Sequence, residues 1–127
     1  MNHGSGRDPL VAVIDDDESV RESLPDLLRE LGYAAETFAS AEEFLASGDF
    51  GSTRCLLLDI AMPGMSGPEL HRELQRTGRP IPVVFITAHG DETMRPRLLE
   101  QGAVDCLYKP FTESALRAAI GAAVRPA

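Results

Sequence analysis

The sequence predicts an α/β domain: a doubly wound, five-stranded parallel sheet in the order 2-1-3-4-5, with five helices. Three observations carry that prediction. Apolar runs at Leu10–Ile14, Cys55–Leu58 and Val83–Ile86 have the length and continuity of strands buried on both faces. Between them lie stretches whose apolar residues recur at helical spacing. The links are short and carry Gly, Pro, Asp and Ser, so strands and helices alternate with little chain to spare. Right-handed crossovers leave few topologies for five such units, and 2-1-3-4-5 is the common one.

The elements follow in order. The first strand is Leu10–Ile14. The first helix runs from near Asp17 to Leu31, with Val20, Leu24, Leu27, Leu28 and Leu31 on one face and Gly32 as its stop. Pro25 falls inside it, removes a hydrogen bond to residue 21 and is expected to kink it. The second strand is Ala34–Phe38. The second helix follows Ser40, where Ser40-Ala41-Glu42-Glu43 has the form of a capping box and Phe44 and Leu45 supply an apolar face. The third strand is Cys55–Asp59. The third helix starts around Pro68, a favoured first-turn residue, and reaches about Arg76 with Leu70 and Leu74 inward. The fourth strand is Val83–Thr87, and the fourth helix spans about Glu92–Gln101 before Gly102. The fifth strand is Val104–Tyr108, and the fifth helix follows Thr112 with Leu116, Ala119, Ile120 and Ala123 on one face.

With 127 residues the chain is expected to form one domain over residues 10–124. Residues 1–9 read as a loose tail and 125–127 as an end or the start of a linker. A net charge of −8 argues against direct nucleic acid binding, which needs a basic surface. No apolar stretch approaches the roughly 18 residues that span a membrane, and the first nine residues hold no signal-peptide core. Cys55 and Cys106 make too sparse a set for a secreted disulfide framework, so a cytoplasmic setting is expected. The chain has eleven Arg but a single Lys, Lys109.

Where the strands end is more telling. The first runs into Asp15, Asp16 and Asp17, and the third stops on Asp59 before Met62-Pro63-Gly64 breaks the chain. In the order 2-1-3-4-5 these two strands are neighbours at the topological switch point, where an open α/β sheet binds its ligands. Asp15, Asp16 and Asp59 would then form an oxygen-rich site for a hard cation such as Mg²⁺. The fourth strand adds Thr87 to the same edge and the fifth adds Lys109, followed by Pro110. Each residue alone has a bland explanation, such as a solvated lysine or a strand-end threonine. Their coincidence on one edge does not. The same order separates Cys55 from Cys106 by an intervening strand, with Cys55 at the end of its strand away from the site, which argues against a disulfide between them.

This ordered set resembles the receiver domains of two-component response regulators. The matching pieces are Asp15-Asp16, Asp59 with Met62-Pro63-Gly64 and Gly67, Thr87-Ala88, and Lys109-Pro110-Phe111. Thr87-Ala88-His89-Gly90-Asp91 and Gly102-Ala103-Val104-Asp105 further resemble the nitrogen-fixation-type transcriptional regulators, which usually carry a C-terminal LuxR-type DNA-binding domain.

The resemblance implies a flavodoxin-like receiver fold and a domain that is not an enzyme but a phosphoacceptor assisting its own phosphorylation and dephosphorylation. Asp59 would take the phosphoryl group from a cognate histidine kinase. Mg²⁺ would be held by Asp16, Asp59 and the Ala61 carbonyl, with Asp15 acting through water. Lys109 and Thr87 would meet phosphoryl oxygens, and the Lys109-Pro110 bond would be cis. Ala61 and His89 would flank the path by which water reaches the phosphoryl group, either tuning its rate or standing there as exposed loop residues with no role. The switch would involve Thr87 and strand-five residues Cys106 and Tyr108. Cys106 stands where the family commonly has an aromatic ring, so a large ring flip is unavailable there. The expected output is phosphorylation-promoted homodimerisation through the fourth helix, fifth strand and fifth helix, controlling transcription through a DNA-binding domain absent from this chain.

A stand-alone regulator acting by protein contacts is the alternative within the family. An aspartyl-nucleophile phosphatase fits less well, because it would place a general acid two residues after the nucleophile, where this chain has Ala61. A dinucleotide-binding module would need a glycine-rich turn after the first strand, where this chain has Asp15-Asp16-Asp17-Glu18-Ser19.

Overall fold

The computed structural model describes residues 8–47, 50–88 and 93–125. Its elements are β1 (Leu10–Ile14), α1 (Glu18–Glu30), β2 (Ala34–Phe38), α2 (Ala41–Ser47), β3 (Thr53–Asp59), α3 (Gly67–Arg76), β4 (Val83–Thr87), α4 (Met94–Glu100), β5 (Asp105–Tyr108) and α5 (Glu113–Val124). All strands pair in parallel, in the order β2-β1-β3-β4-β5. Residues 1–7 of the expected tail, His89 to Asp91 of the loop after β4, Glu92 at the expected start of the fourth helix, and residues 126–127 lie outside the described residues.

Strand alternation divides the core in two. Ala12, Ile14, Leu56, Leu58, Val83, Phe85 and Cys106 point to one face and pack with Ala41, Phe44, Leu70, Leu74 and Leu98 from α2, α3 and α4. Val11, Val13, Cys55, Leu57, Val84, Ile86 and Leu107 point to the other, against Leu24 and Leu28 of α1 and Leu116, Ala119, Ile120 and Ala123 of α5. Helices on both faces explain why β3 and β4 are buried along almost their whole length. Cys55 and Cys106 therefore lie on opposite faces as free thiols, and burial pushes the Cys55 thiol up to about 12.

Local chemistry sets the helix ends. The Asp17 carboxylate accepts from the Ser19 amide at 2.9 Å to cap α1, which continues through Pro25. The Thr112 hydroxyl accepts from the Ala115 amide at 3.0 Å to cap α5. At α2 the Ser40 hydroxyl accepts from the Glu43 amide, but the Glu43 carboxylate accepts from Ala39 rather than Ser40, one residue short of a full box. Gly32 and Gly102 follow α1 and α4 with φ of 99° and 107°, a left-handed turn that lets Tyr33 and Ala103 donate back to Leu28 and Leu98.

Several boundaries differ from the sequence expectation. Strand β3 begins at Thr53 rather than Cys55, because polar Arg54 interrupts the apolar run while staying in the ladder with its side chain outward. Strand β5 begins at Asp105, one residue late, and α4 is shorter at both ends. Helix α3 begins at Gly67 because Ser66 and Glu69 form a reciprocal capping box, with bonds of 3.2 and 2.8 Å.

The start of α3 lies directly against the tip of β3, where a Cβ on Gly67 would overlap the Asp59 carbonyl oxygen and press on the Ile60 Cα. Gly121 of α5 faces open space instead. Gly67→Ala is therefore expected to destabilise the fold by about 1–3 kcal/mol, and Gly121→Ala to stabilise it by about 0.4–1 kcal/mol. Equilibrium urea unfolding of both variants checks this, and an unchanged midpoint for Gly67→Ala would show that the loop yields freely.

Candidate functional site

Register brings the polar strand ends together. Ile14 sits opposite Leu58, so the residues that follow, Asp15 and Asp59, are neighbours across the β1–β3 pair. Asp59 is opposite Ile86, which places Thr87 one step further along the same edge. Thr87 is opposite Tyr108, and the next residue, Lys109, donates its amide to the Thr87 carbonyl at 2.8 Å. Asp15, Asp16, Asp17, Asp59, Ala61, Thr87, Ala88 and Lys109 line one cavity of about 180 Å³.

The three acids differ sharply in exposure. Asp15 is fully buried and Asp59 and Thr87 nearly so, while Asp16 is open to solvent. One carboxylate oxygen from each of Asp15, Asp16 and Asp59 lies within 4.8 Å of the others. Asp15 survives burial because both of its oxygens are occupied: Lys109 Nζ lies 3.0 Å from Oδ2, and the Asp17 amide donates to Oδ1 at 2.9 Å. The Lys109-Pro110 bond is cis. Arg21 of α1 donates from Nη1 to the Asp15 backbone carbonyl at 2.9 Å.

Asp59 has no such shelter. Burial foremost, and then the neighbouring Asp15 carboxylate, push its carboxyl up to about 7, against the opposing pull of the Lys109 ammonium. A buried acid with raised proton affinity, beside two more carboxylates, is an arrangement that a cation would relieve. Asp17 differs. Its hydrogen bonds from Ser19 hold it below the usual carboxylate range, consistent with a cap at the helix N-terminus.

Every residue expected at the metal and phosphoryl positions lines this cavity; Cys106 and Tyr108 do not. Cys106 is buried in the core cluster that includes Leu98 of α4, and Tyr108 packs partly buried against the same cluster. Ala61 is exposed at the rim, and His89 lies outside the described residues. The sequence reading missed three supports. The Ser66-Gly67-Pro68-Glu69 signature was legible as a capping box. The 2.9 Å bond from the Met65 amide to Glu42 of α2, which ties down the loop after β3, joins residues 23 apart and had no local signal. The same holds for Arg21 on the Asp15 carbonyl.

Residues 11–121 match the family described as Response regulator receiver domain. The response regulator protein TodT of Pseudomonas putida is 41% identical over 125 residues, covering 98% of this chain and 55% of that protein. The transcriptional regulatory protein FixJ of Azorhizobium caulinodans is 42% identical over 114 residues, covering 90% and 54%. The solved structure of the response regulator StyR superposes with a TM-score of 0.85 at 48% identity, covering 93% of this chain and 60% of that one. The chain thus spans about half the length of the curated relatives it matches.

The position of Asp59 has a measurable sign. The unfolded chain releases this proton near the ordinary 3.8, the folded protein near 7. Between those values the native state holds the extra proton, so stability falls as pH rises. Without divalent cations, Asp59→Asn should melt above wild type at about pH 8, and the difference should fade toward about pH 4.5. Equal melting temperatures at the higher pH would mean that the buried carboxylate carries no penalty.

Proposed function

This chain belongs to the response regulator receiver domain family, and from that premise we propose that Asp59 accepts a phosphoryl group from a histidine kinase in a Mg²⁺-dependent reaction. The observation that carries the reading is the convergence of Asp15, Asp16, Asp59, Thr87 and Lys109 on one small cavity at the ligand-binding edge of the sheet.

The donor set fits a hard divalent cation. Three carboxylates and the neighbouring Ala61 carbonyl are all oxygen ligands, and the exposed side of the cavity leaves room for water, which Mg²⁺ keeps. Asp16, Asp59 and the Ala61 carbonyl would hold the ion, with Asp15 acting through water. When bound, Mg²⁺ neutralises the charge gathered between the carboxylates and the phosphoryl oxygens.

The remaining work falls to the side chains. A deprotonated Asp59 oxygen attacks phosphorus in line with the donor. The P–N bond to the kinase imidazole breaks, and its electron pair leaves on the ring nitrogen. Burial leaves the Asp59 anion poorly solvated and correspondingly basic. Lys109 offers a compact cation and Thr87 a hydroxyl donor to two phosphoryl oxygens.

The proposed output draws support from the relatives, among which FixJ is a transcriptional regulatory protein and TodT a response regulator protein. Phosphorylation would favour a homodimer through α4, β5 and α5, in a longer protein whose effector part binds DNA. With a small thiol at residue 106, the loop after β4 and Tyr108 would carry the change more than Cys106 does.

Incubation with acetyl phosphate, read by intact mass, tests the chemistry. One phosphoryl group should appear with Mg²⁺, none after chelation, and none in Asp59→Asn. Wild-type labelling of the Asp59→Asn variant would overturn the assignment. In the same preparations beryllofluoride should promote dimers, and Tyr108→Ala should weaken that response more than Cys106→Ala; the reverse order would refute this view of the switch.

A further inference from the structure

The acid-bearing turn after β1 is gripped from outside the carboxylate cluster. Arg21, one turn into α1, donates from Nη1 to the Asp15 carbonyl at 2.9 Å. That carbonyl belongs to the peptide joining Asp15 to Asp16. Its direction therefore helps set where the Asp16 side chain leaves the backbone. Lys109 and the Asp17 amide act on the Asp15 carboxylate, and the Asp15 amide donates to the Phe38 carbonyl at 3.1 Å; these bonds restrain the residue up to its Cα and leave the Asp15–Asp16 peptide plane to the guanidinium. Arg21 is half-buried over the turn, whereas Arg29 on the same helix makes an exposed pair with Asp26, three residues away.

We propose that Arg21 is a positioning residue for the cation: by fixing the Asp15–Asp16 peptide it holds the Asp16 carboxylate toward Asp59 and so raises Mg²⁺ affinity. The proposal rests on the Mg²⁺ reading of the cluster. It departs from what charge alone dictates. As a bare positive charge on the acid-bearing turn, Arg21 opposes a second cation, and removing it would tighten Mg²⁺ binding. As a strut, its loss frees the turn, spreads Asp16 over orientations that no longer converge with Asp59, and weakens binding. The two roles give opposite signs.

The test is a Mg²⁺ titration of the ¹⁵N-labelled protein at constant ionic strength, followed by amide shifts. Arg21→Met keeps the apolar stem and helix propensity. It should weaken Mg²⁺ binding by about tenfold. Arg21→Lys, which retains a charge and a donor, should recover part of that loss, and Arg29→Met should bind as wild type does. A merely structural role would lower the melting temperature and leave the affinity of the folded protein unchanged. Should Arg21→Met fail to fold, Arg21→Gln carries the test with the same readout. Unchanged or tighter binding in the neutral variant overturns the proposal. A wild-type protein without a saturable Mg²⁺ response fails the metal reading itself, a result distinct from an Arg21 effect of the wrong sign.

Discussion

Three carboxylates gathered at the tip of a parallel sheet, two of them buried, are the constraint on which the rest of the structure depends. Two strands end side by side, each on an acid, because their register pairs Ile14 with Leu58. Burial of Asp15 and Asp59 then removes the water that would otherwise separate those two groups. Asp15 is stabilised by a lysine and a backbone amide, Asp16 by solvent. Asp59 has neither in full, and its raised proton affinity is the residue of that conflict. What makes the site poor as a resting arrangement is what the proposed cation and phosphoryl group would relieve.

The scaffold offsets this local cost. Two apolar layers, one under α2, α3 and α4 and one under α1 and α5, hold the five strands so that the acids cannot drift apart. Three contacts then pin the loops that leave the sheet: Arg21 on the Asp15 carbonyl, Glu42 on the Met65 amide, and Gly67 against the Asp59 backbone. All three lie outside the cavity, yet each restrains a loop that carries site residues. The fold and the site are thus coupled through backbone geometry more than through side-chain contacts inside the cleft.

Much of this was legible in the sequence, for physical reasons. Strands buried on both faces leave unbroken apolar runs, so β1, β3 and β4 announced themselves, and their terminal acids marked the edge. Handedness left few strand orders, and the common one among them brings Asp15 and Asp59 together. The start of β3 was harder, because Arg54 keeps its place in the ladder while its side chain points to solvent. The supports were hidden for a different reason. A Glu42 carboxylate on a loop amide 23 residues away, or a guanidinium on a strand-end carbonyl, leaves no periodicity to read. The proton affinity of Asp59 could not be read either, since it depends on how far burial and two charged neighbours act at once.

The central quantity is the protonation of Asp59 in the folded protein without metal. Carboxyl ¹³C NMR across a pH series, with the signal assigned by its absence in Asp59→Asn, measures it directly. The expected midpoint lies near 7 without divalent cations, and saturating Mg²⁺ should move it well down toward the ordinary carboxylate range. A midpoint near 3.8 in the metal-free protein, or one that Mg²⁺ does not move, would contradict the claim that this acid is held in waiting for a cation.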